Sequence, residues 1–442
     1  MPDVAVVGTS YVGSVTAVCL AWLGHSVVGF DIDPARTGQL AAGQLPFVEP
    51  GLPDLLRETL GTGRLSFTSS AEAVGEADVV FLCVGTPTGP GGMPDMSQVG
   101  SAARELARHL RAGAIVVNKS TVPVGSGNWV RTIVEESLPP GSDVPFSVVS
   151  NPEFLREGAA VEDFLFPDRI VLGGENGAPA KVAALYDRIL RQDFPGADPG
   201  RLPRLVVTSV ASAEMVKYAA NAFLATKISF ANEIGSICEL VGADAREVLP
   251  AIGADTRIGE RFLCHGLGWG GSCFGKDVAA LIATGMEYGY HSPILRASVE
   301  VNQAQRAAVL RKLQATLKVL KGRRVAVLGL AFKPGTDDLR DSPAVDVIQR
   351  LHGAGAVVSA YDPVVKHVPG LDADVVRIGT DAYDAAERAD AVVVATDWPE
   401  FGSLDLPRLA GRMSGRVLLD ARGIVEPAAA SAAGLTVSGY GW

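Results

Sequence analysis

Past the middle of the chain, Gly268-Trp269-Gly270-Gly271-Ser272-Cys273-Phe274-Gly275-Lys276-Asp277 sets one thiol among small residues, beside a cation and a carboxylate. Glycines let a backbone turn tightly and approach a ligand, and a thiol near positive charge ionises more readily, so this stretch can present a nucleophile. The run Val278-Ala279-Ala280-Leu281-Ile282-Ala283 reads as a helix, which puts Cys273 just before a helix N-terminus, where the dipole favours a thiolate. Alone, the same residues also suit an inert buried thiol ahead of a helix capped by Asp277. Two further pairs could join the chemistry. Lys217 and Asn221 are four apart in a helical pattern and share one face. Glu153 and Glu157 would share a face if Asn151-Pro152-Glu153-Phe154-Leu155-Arg156-Glu157 made a helical turn. Each pair also fits plain solvated side chains.

These groups need a scaffold, and the chain supplies α/β patterns for one. Asp3-Val4-Ala5-Val6-Val7-Gly8 is a short strand, followed by Thr9-Ser10-Tyr11-Val12-Gly13 and a helical stretch from Ser14 to Leu23. A second strand, Ser26-Val27-Val28-Gly29-Phe30, ends at Asp31. Strand, glycine turn, helix, strand and acid in that order describe a dinucleotide site: the turn and helix N-terminus take a pyrophosphate, and the acid accepts from ribose hydroxyls. The middle glycine of the fingerprint is Ser10 here. Further strands are expected at Ala77–Val84, Ala114–Val117, Phe146–Val149 and Arg169–Leu172, which with intervening helices imply a parallel sheet. Ligands of such sheets lie beyond the carboxyl ends of the strands, so Gly85-Thr86-Pro87, Lys119 to Pro123 and Asn151 to Glu157 are the polar segments to watch.

After a Pro/Gly-rich segment at 193–200, apolar residues recur at helical spacing from Ser212 to about Val241. So long a helix suggests a spine that links domains or packs on another subunit. A second α/β pattern follows: strands at Arg324–Leu330, Val357–Tyr361, Ala391–Ala395 and Arg416–Asp420, and a helix at Ala344–His352. It lacks the full glycine fingerprint, so a second dinucleotide is not implied, while another nucleotide could use the same cleft.

The composition bounds the function. The 442 residues suit two or three domains, and 48% hydrophobic with 20% charged residues is a globular balance. A net charge of -10 without a Lys/Arg cluster argues against nucleic acid. Cys19, Cys83, Cys238, Cys264 and Cys273 are dispersed and odd in number, which fits neither a disulfide framework nor a metal site and suits a reducing, cytoplasmic setting. No stretch of about 20 apolar residues suggests a membrane span.

Together, Gly8 to Gly13, Gly85 to Pro87, Ser120 to Pro123, Asn151 to Gly158, Glu214 to Asn221, Arg257-Ile258-Gly259, Gly268 to Asp277 and Phe332 to Arg340 resemble the motifs of the UDP-glucose/GDP-mannose dehydrogenase family, in family order over nearly the whole chain. The resemblance implies an α/β protein of two Rossmann-like parallel-sheet domains joined by a central helical domain with a long spine helix. The implied divisions are an NAD-binding domain at 1–200, a helical dimerisation domain carrying the cysteine loop at 201–302, and a domain binding a UDP moiety at 303–442.

What the resemblance implies for the site is specific. Cys273 would be the nucleophile, with Lys217, Asn221 and Asp277 around the reacting carbon and Thr121, Glu153 and Glu157 on its opposite side. NAD would meet Gly8, Tyr11, Val12, Gly13, Asp31, Arg36, Thr86, Thr121, Glu157, Lys276 and Arg340. A sugar nucleotide would meet Glu153, Phe154, Leu155, Arg156, Lys217, Asn221, Phe262, Leu263, Cys264, His265, Gly266, Gly270 and Lys333, with Arg257 reaching the site of a partner subunit. Departures from the family pattern are Ser10, Trp269 and Gly275. The implied reaction is a four-electron oxidation of a nucleotide sugar by a homodimer, with UDP-glucose the substrate of the branch resembled best. GDP-mannose or an N-acetylated UDP sugar is the alternative within the family, and a non-catalytic NAD sensor the alternative outside it.

Overall fold

Buried valine, isoleucine and leucine runs make the strands, and in the computed structural model, which describes residues 3–89, 92–142, 144–372 and 374–442, they form two sheets. The first has the order β3-β2-β1-β4-β5-β6-β7-β8. Its strands are β1 (Val4–Val7), β2 (Val27–Phe30), β3 (Leu65–Thr68), β4 (Val79–Leu82), β5 (Ala114–Asn118), β6 (Phe146–Ser150), β7 (Arg169–Gly173) and β8 (Arg204–Thr208). The second has the order β11-β10-β9-β12-β13-β14, from β9 (Arg324–Leu328), β10 (Val357–Tyr361), β11 (Val376–Ile378), β12 (Ala391–Val394), β13 (Val417–Asp420) and β14 (Thr436–Gly439). Six strands of the first sheet and all of the second follow the doubly wound order, whose reversal between β1 and β4, and between β9 and β12, opens a crevice at the strand ends.

The expected parallel sheets are present with one exception: β6 and β7 pair antiparallel, Ser150 facing Gly173. The connection between them holds only the short helix Ala160–Leu165, and the chain returns from the end at which β6 stops. The strands β3, β8, β11 and β14 add to those expected.

One compact unit comprises the chain up to Ala220 with Ala279–Glu287, and the other comprises Asn221–Val278 with Tyr288–Trp442. In the first, both faces of the sheet are covered: Val4, Val6, Phe81 and Val117 join one core cluster, while Ala5, Val7, Val80 and Val116 join another. The second repeats this with Val325 and Val327 on one side and Ala326 and Leu328 on the other. The spine helix, Val210–Val241, is where the helical pattern places it, and the division between units falls within it. A second long helix, Pro293–Leu317, starts with proline at its first turn.

Candidate active site

The turn after β1 is built for close approach. Gly8 has φ +87° and a Cβ there would lie 2.9 Å from Val84, while a Cβ on Gly13 would fall 1.8 Å from the Gly8 carbonyl. Both positions therefore exclude any side chain. Ser10 is the N-cap of the first helix, Tyr11–Trp22, yet its side chain makes no capping bond, and Tyr11 and Val12 pack against the core beneath. The N-terminal N–H groups of this helix receive no side-chain cap from Ser10, which suits an incoming pyrophosphate.

At the end of β2, Asp31 accepts from Thr9 N (2.8 Å), Thr9 Oγ1 (3.1 Å), Asp33 N (3.1 Å) and Arg36 Nη1 (3.0 Å). Burial alone would raise its pKa, but the bonds from Thr9 and Asp33 and the Arg36 guanidinium outweigh this and hold it below the usual carboxylate range. Glycine turn, helix N-terminus and anchored carboxylate thus fit a dinucleotide. The corresponding acid of the second sheet, Asp362, is spent differently: it accepts from Leu330 N, Ala331 N, Val364 N, Val365 N and Trp398 Nε1. Five donors saturate a carboxylate, in keeping with the broken fingerprint there.

Loops after β4 and β5 are tied together by Thr86 Oγ1, which donates to Thr121 O at 2.8 Å, and by Ser120 Oγ, which donates to Val84 O at 2.8 Å. Lys217 Nζ bonds Glu153 Oε1 at 2.8 Å, both side chains being almost wholly buried. The two are in direct contact, because neither charge could stay buried alone. Burial would raise Glu153, but Lys217, the Leu155 N–H and the charge of Lys119 hold it below the usual range. Residues 151–156 form no helix, so Glu153 and Glu157 do not share a helical face. Pro152 lacks an N–H, and Glu153 Oε2 accepts from Leu155 N at 2.6 Å, a local bond that competes with helix. Leu155 packs on the core. Phe154 lies under two cations, Arg169 at 3.9 Å and Lys217 at 5.6 Å from its ring centre. Arg156 is held by Asp163 at 2.7 Å.

In the other unit, Cys273 is not ahead of its helix but inside the first turn of Gly271–Glu287, half-buried, with Ser272 Oγ 3.5 Å from its sulfur. Helix starts early because Gly271 adopts φ +86°, with the Phe332 ring 2.7 Å from where a Cβ would stand. Asp277 is therefore no N-cap. It sits one turn beyond Cys273 on that helix, buried, and accepts from Asn221 Nδ2 at 2.6 Å. Asn221 in turn lies one turn beyond Lys217 on the spine helix.

The 262–266 loop is shaped by Phe262 at φ +66°, its ring edge-on to Phe274, and by Gly266, whose N–H reaches Asn232 Oδ1 at 2.7 Å. Leu263 packs on the small cluster of Ala231, Cys238, Ala245 and Leu249, while Cys264 is exposed and burial pushes His265 down. A Cβ on Gly270 would meet Asp341 O at 2.2 Å. Arg257 is 87% exposed beyond its pair with Asp255. Lys333 lies 5.4 Å from the Phe332 ring centre, Arg340 pairs with Asp338 at 2.8 Å, and Lys276 is half-buried.

Two residues to which the sequence reading assigns no role, Glu49 and Glu214, hold these parts in place. Glu49, 2% exposed, accepts from Tyr11 OH, from Gly158 N at 2.7 Å and from Ala160 N at 2.7 Å, joining the glycine turn to the Glu157 segment. Glu214 accepts from Gly125 N at 2.7 Å and Gly127 N at 2.8 Å, fixing the end of the Thr121 loop to the helix that carries Lys217.

The UDP-glucose/GDP-mannose dehydrogenase family matches in three parts: its NAD binding domain over residues 2–190, its central domain over 211–304 and its UDP binding domain over 326–427. A UDP-glucose 6-dehydrogenase of Rhizobium meliloti is 45% identical over 429 residues, 95% of each chain. One of Bacillus subtilis is 42% identical over 436 residues, covering 98% of this chain and 92% of its own. Among solved structures, a UDP-glucose dehydrogenase of Pyrobaculum islandicum superposes with TM-score 0.88 at 40% identity, over 97% of this chain and 96% of that one. With the glycine turn inside the first match, the spine and thiol helices at the second, and relatives above 40% identity over nearly the whole length, the chain belongs to the UDP-glucose/GDP-mannose dehydrogenase family.

Proposed function

We propose that this chain oxidises UDP-glucose to UDP-glucuronate with NAD, carrying the substrate carbon on Cys273. The observation that carries this reading is the series Lys217, Asn221, Asp277 and Cys273: one helical turn, one 2.6 Å hydrogen bond and one further helical turn link a cation, an amide, a carboxylate and a thiol. Bound NAD supplies the hydride acceptor for each of two oxidations. Asp277, or a water that it holds, takes the first hydroxyl proton. The Cys273 thiolate adds to the resulting aldehyde carbon, so no aldehyde leaves, and the second oxidation leaves an acyl group on sulfur. The Lys217 ammonium and the Asn221 amide stabilise negative charge on the substrate oxygen in both stages. Glu153 or Glu157 orients the water whose oxygen enters as the thioester bond to sulfur breaks.

UDP-glucose is favoured over rival sugars by degree of likeness. Solved structures of a UDP-D-ManNAc dehydrogenase of Pyrococcus horikoshii and a GDP-mannose dehydrogenase of Pseudomonas aeruginosa are 28% and 30% identical, against 40% and above for the UDP-glucose enzymes named earlier. The test is a panel of nucleotide sugars with NADH read by absorbance: UDP-glucose should be turned over at least tenfold faster than any other, and preference for another sugar would overturn the assignment.

NAD should be preferred to NADP by at least tenfold in kcat/KM. A 2′-phosphate would stand against the Asp31 carboxylate, whose low pKa keeps it charged at neutral pH, and Arg36 is already engaged by that same carboxylate. Ile32, 86% exposed beside Asp31, offers an apolar surface for an adenine ring. Equal kcat/KM for the two cofactors would refute the arrangement.

A homodimer is part of the proposal. On the spine helix Met215, Phe223, Phe230 and Ile237 recur every seven or eight residues, so they form one exposed apolar stripe, and the Arg257 side chain, paired with Asp255, is 87% exposed. Sedimentation should give a dimer, and Phe230→Asp a monomer of much lower activity; a parent protein fully active as a monomer would refute this. A cytoplasmic setting is proposed from the free thiols, and among the described residues no helix is long and apolar enough to cross a membrane.

A further inference from the structure

The thiol loop is gripped from outside the groups that do chemistry. Trp269 N donates to Asn302 Oδ1 at 2.8 Å, Asn302 Nδ2 donates back to Trp269 O at 3.0 Å, and Trp269 Nε1 donates to Ser229 Oγ at 3.0 Å. The same Trp269 carbonyl accepts from Arg306 Nη2 at 2.7 Å. Arg306 is 8% exposed, and its other terminal nitrogen donates to Asp341 Oδ1 at 2.7 Å, while Nη2 also reaches Asp341 O at 3.3 Å. Asp346 contributes only a longer contact, at 3.9 Å, and has Arg350 as a nearer partner at 2.9 Å.

Asp341 in turn touches the loop on both sides of the thiol. A Cβ on Gly270 would lie 2.2 Å from Asp341 O, and one on Gly275 would lie 3.2 Å from Asp341 Oδ2. Asp341 also holds φ +48°, a left-handed conformation that aspartate tolerates better than most residues but that still needs support. A single buried guanidinium therefore fixes the loop at Trp269, two residues before the helix begins at Gly271, and fixes the wedge that flanks Gly270 and Gly275.

We propose that Arg306 and Asp341 are positioning residues for Cys273: Arg306 latches Asp341 against the two glycines and so keeps the thiol in the first turn of its helix. Neither residue need touch substrate. This rests on the reading of Cys273 as the nucleophile, but its measurement does not. With the latch loosened, the thiol leaves the helix N-terminus, the dipole no longer favours its thiolate, and its reactivity falls.

The experiment uses Arg306→Met, Arg306→Lys and Asp341→Asn in the full chain. Iodoacetamide labelling near pH 7 is followed by mass spectrometry, with fragment ions separating Cys273 from Cys264, whose exposed thiol is the internal control. The ratio of Cys273 to Cys264 labelling rates should fall at least twofold in Arg306→Met and in Asp341→Asn, the pH midpoint of Cys273 labelling should rise, and Arg306→Lys should recover part of the ratio. In Arg306→Met kcat should drop at least tenfold while KM for UDP-glucose and NAD stays within threefold. The double variant should add little to either single one, because both act through one latch. A parental labelling ratio in Arg306→Met and Asp341→Asn overturns the proposal. If Arg306→Met fails to fold, Asp341→Asn decides alone, since its side chain is partly exposed and the Trp269 bonds remain. An active Cys273→Ala would instead overturn the proposed mechanism and leave the labelling result standing.

Discussion

Cys273→Ala should abolish uronate formation, with kcat falling at least a thousandfold, a barrier increase of about 4 kcal/mol. The size follows from what the sulfur is asked to do. Without a covalent carrier the first oxidation gives an aldehyde with no group to hold it, so the second oxidation and the hydrolysis lose their substrate. Binding should persist, because neither the glycine turn at Gly8 nor the Asp31 carboxylate involves the thiol, and alanine fits a half-buried helix position at little cost. Parent protein should release two NADH per UDP-glucuronate with no free aldehyde. Cys273→Ser should instead stall within one turnover, since an alkoxide is a poorer leaving group than a thiolate, and intact-mass measurement should find a sugar-nucleotide adduct. Uronate production by Cys273→Ala within about tenfold of the parent, a change of only about 1.4 kcal/mol, would remove Cys273 from the mechanism.

How much of this was legible beforehand depended on distance along the chain. The turn from Gly8 to Gly13 and the acid at Asp31 are written within one strand-helix-strand unit, where valine runs and glycine spacing are local signals, and the structure places them as read. The spine helix shows in its uninterrupted period. By contrast, the helix Pro293–Leu317 escaped notice because its inward positions include Asn302, Gln305 and Arg306, which break the apolar pattern while remaining buried. Glu49 and Glu214 look like surface carboxylates in the sequence. Their partners lie 109 and 111 residues away for Glu49, 89 and 87 for Glu214, and only folding shows that each side chain replaces water at a set of buried N–H groups. The helix carrying Cys273 begins about two turns before the sequence places it for a related reason: a run of glycines reads as loop, yet Gly271 uses its positive φ to begin a helix early.

Lys217→Met should cost about 3–5 kcal/mol of stability as well as most of the activity, because it strands a buried carboxylate. Glu153 and Lys217 expose only 6% and 4% of their side chains and meet at 2.8 Å, so water cannot take the place of the lost ammonium. Lys119 is too committed to substitute: it is buried, its Nζ donates to Asn151 Oδ1 at 3.1 Å, and burial already lowers its own pKa. The sign of the pH dependence should reverse. In the parent, Glu153 has a depressed pKa, so its contribution is present above the ordinary glutamate value near about 4.3 and is lost as pH falls through the folded value. In Lys217→Met, burial should dominate and lift the Glu153 pKa above the unfolded value, so stability is lost as pH rises through it. Urea midpoints at pH 5 and pH 7 read this directly: the deficit of Lys217→Met against the parent should be larger at pH 7. Lys217→Met/Glu153→Leu should recover much of the stability at pH 7, since removing both charges leaves an apolar pair, while activity stays lost. A pH-independent deficit, or a double variant no more stable than Lys217→Met, would show that the two side chains do not compensate each other's charge.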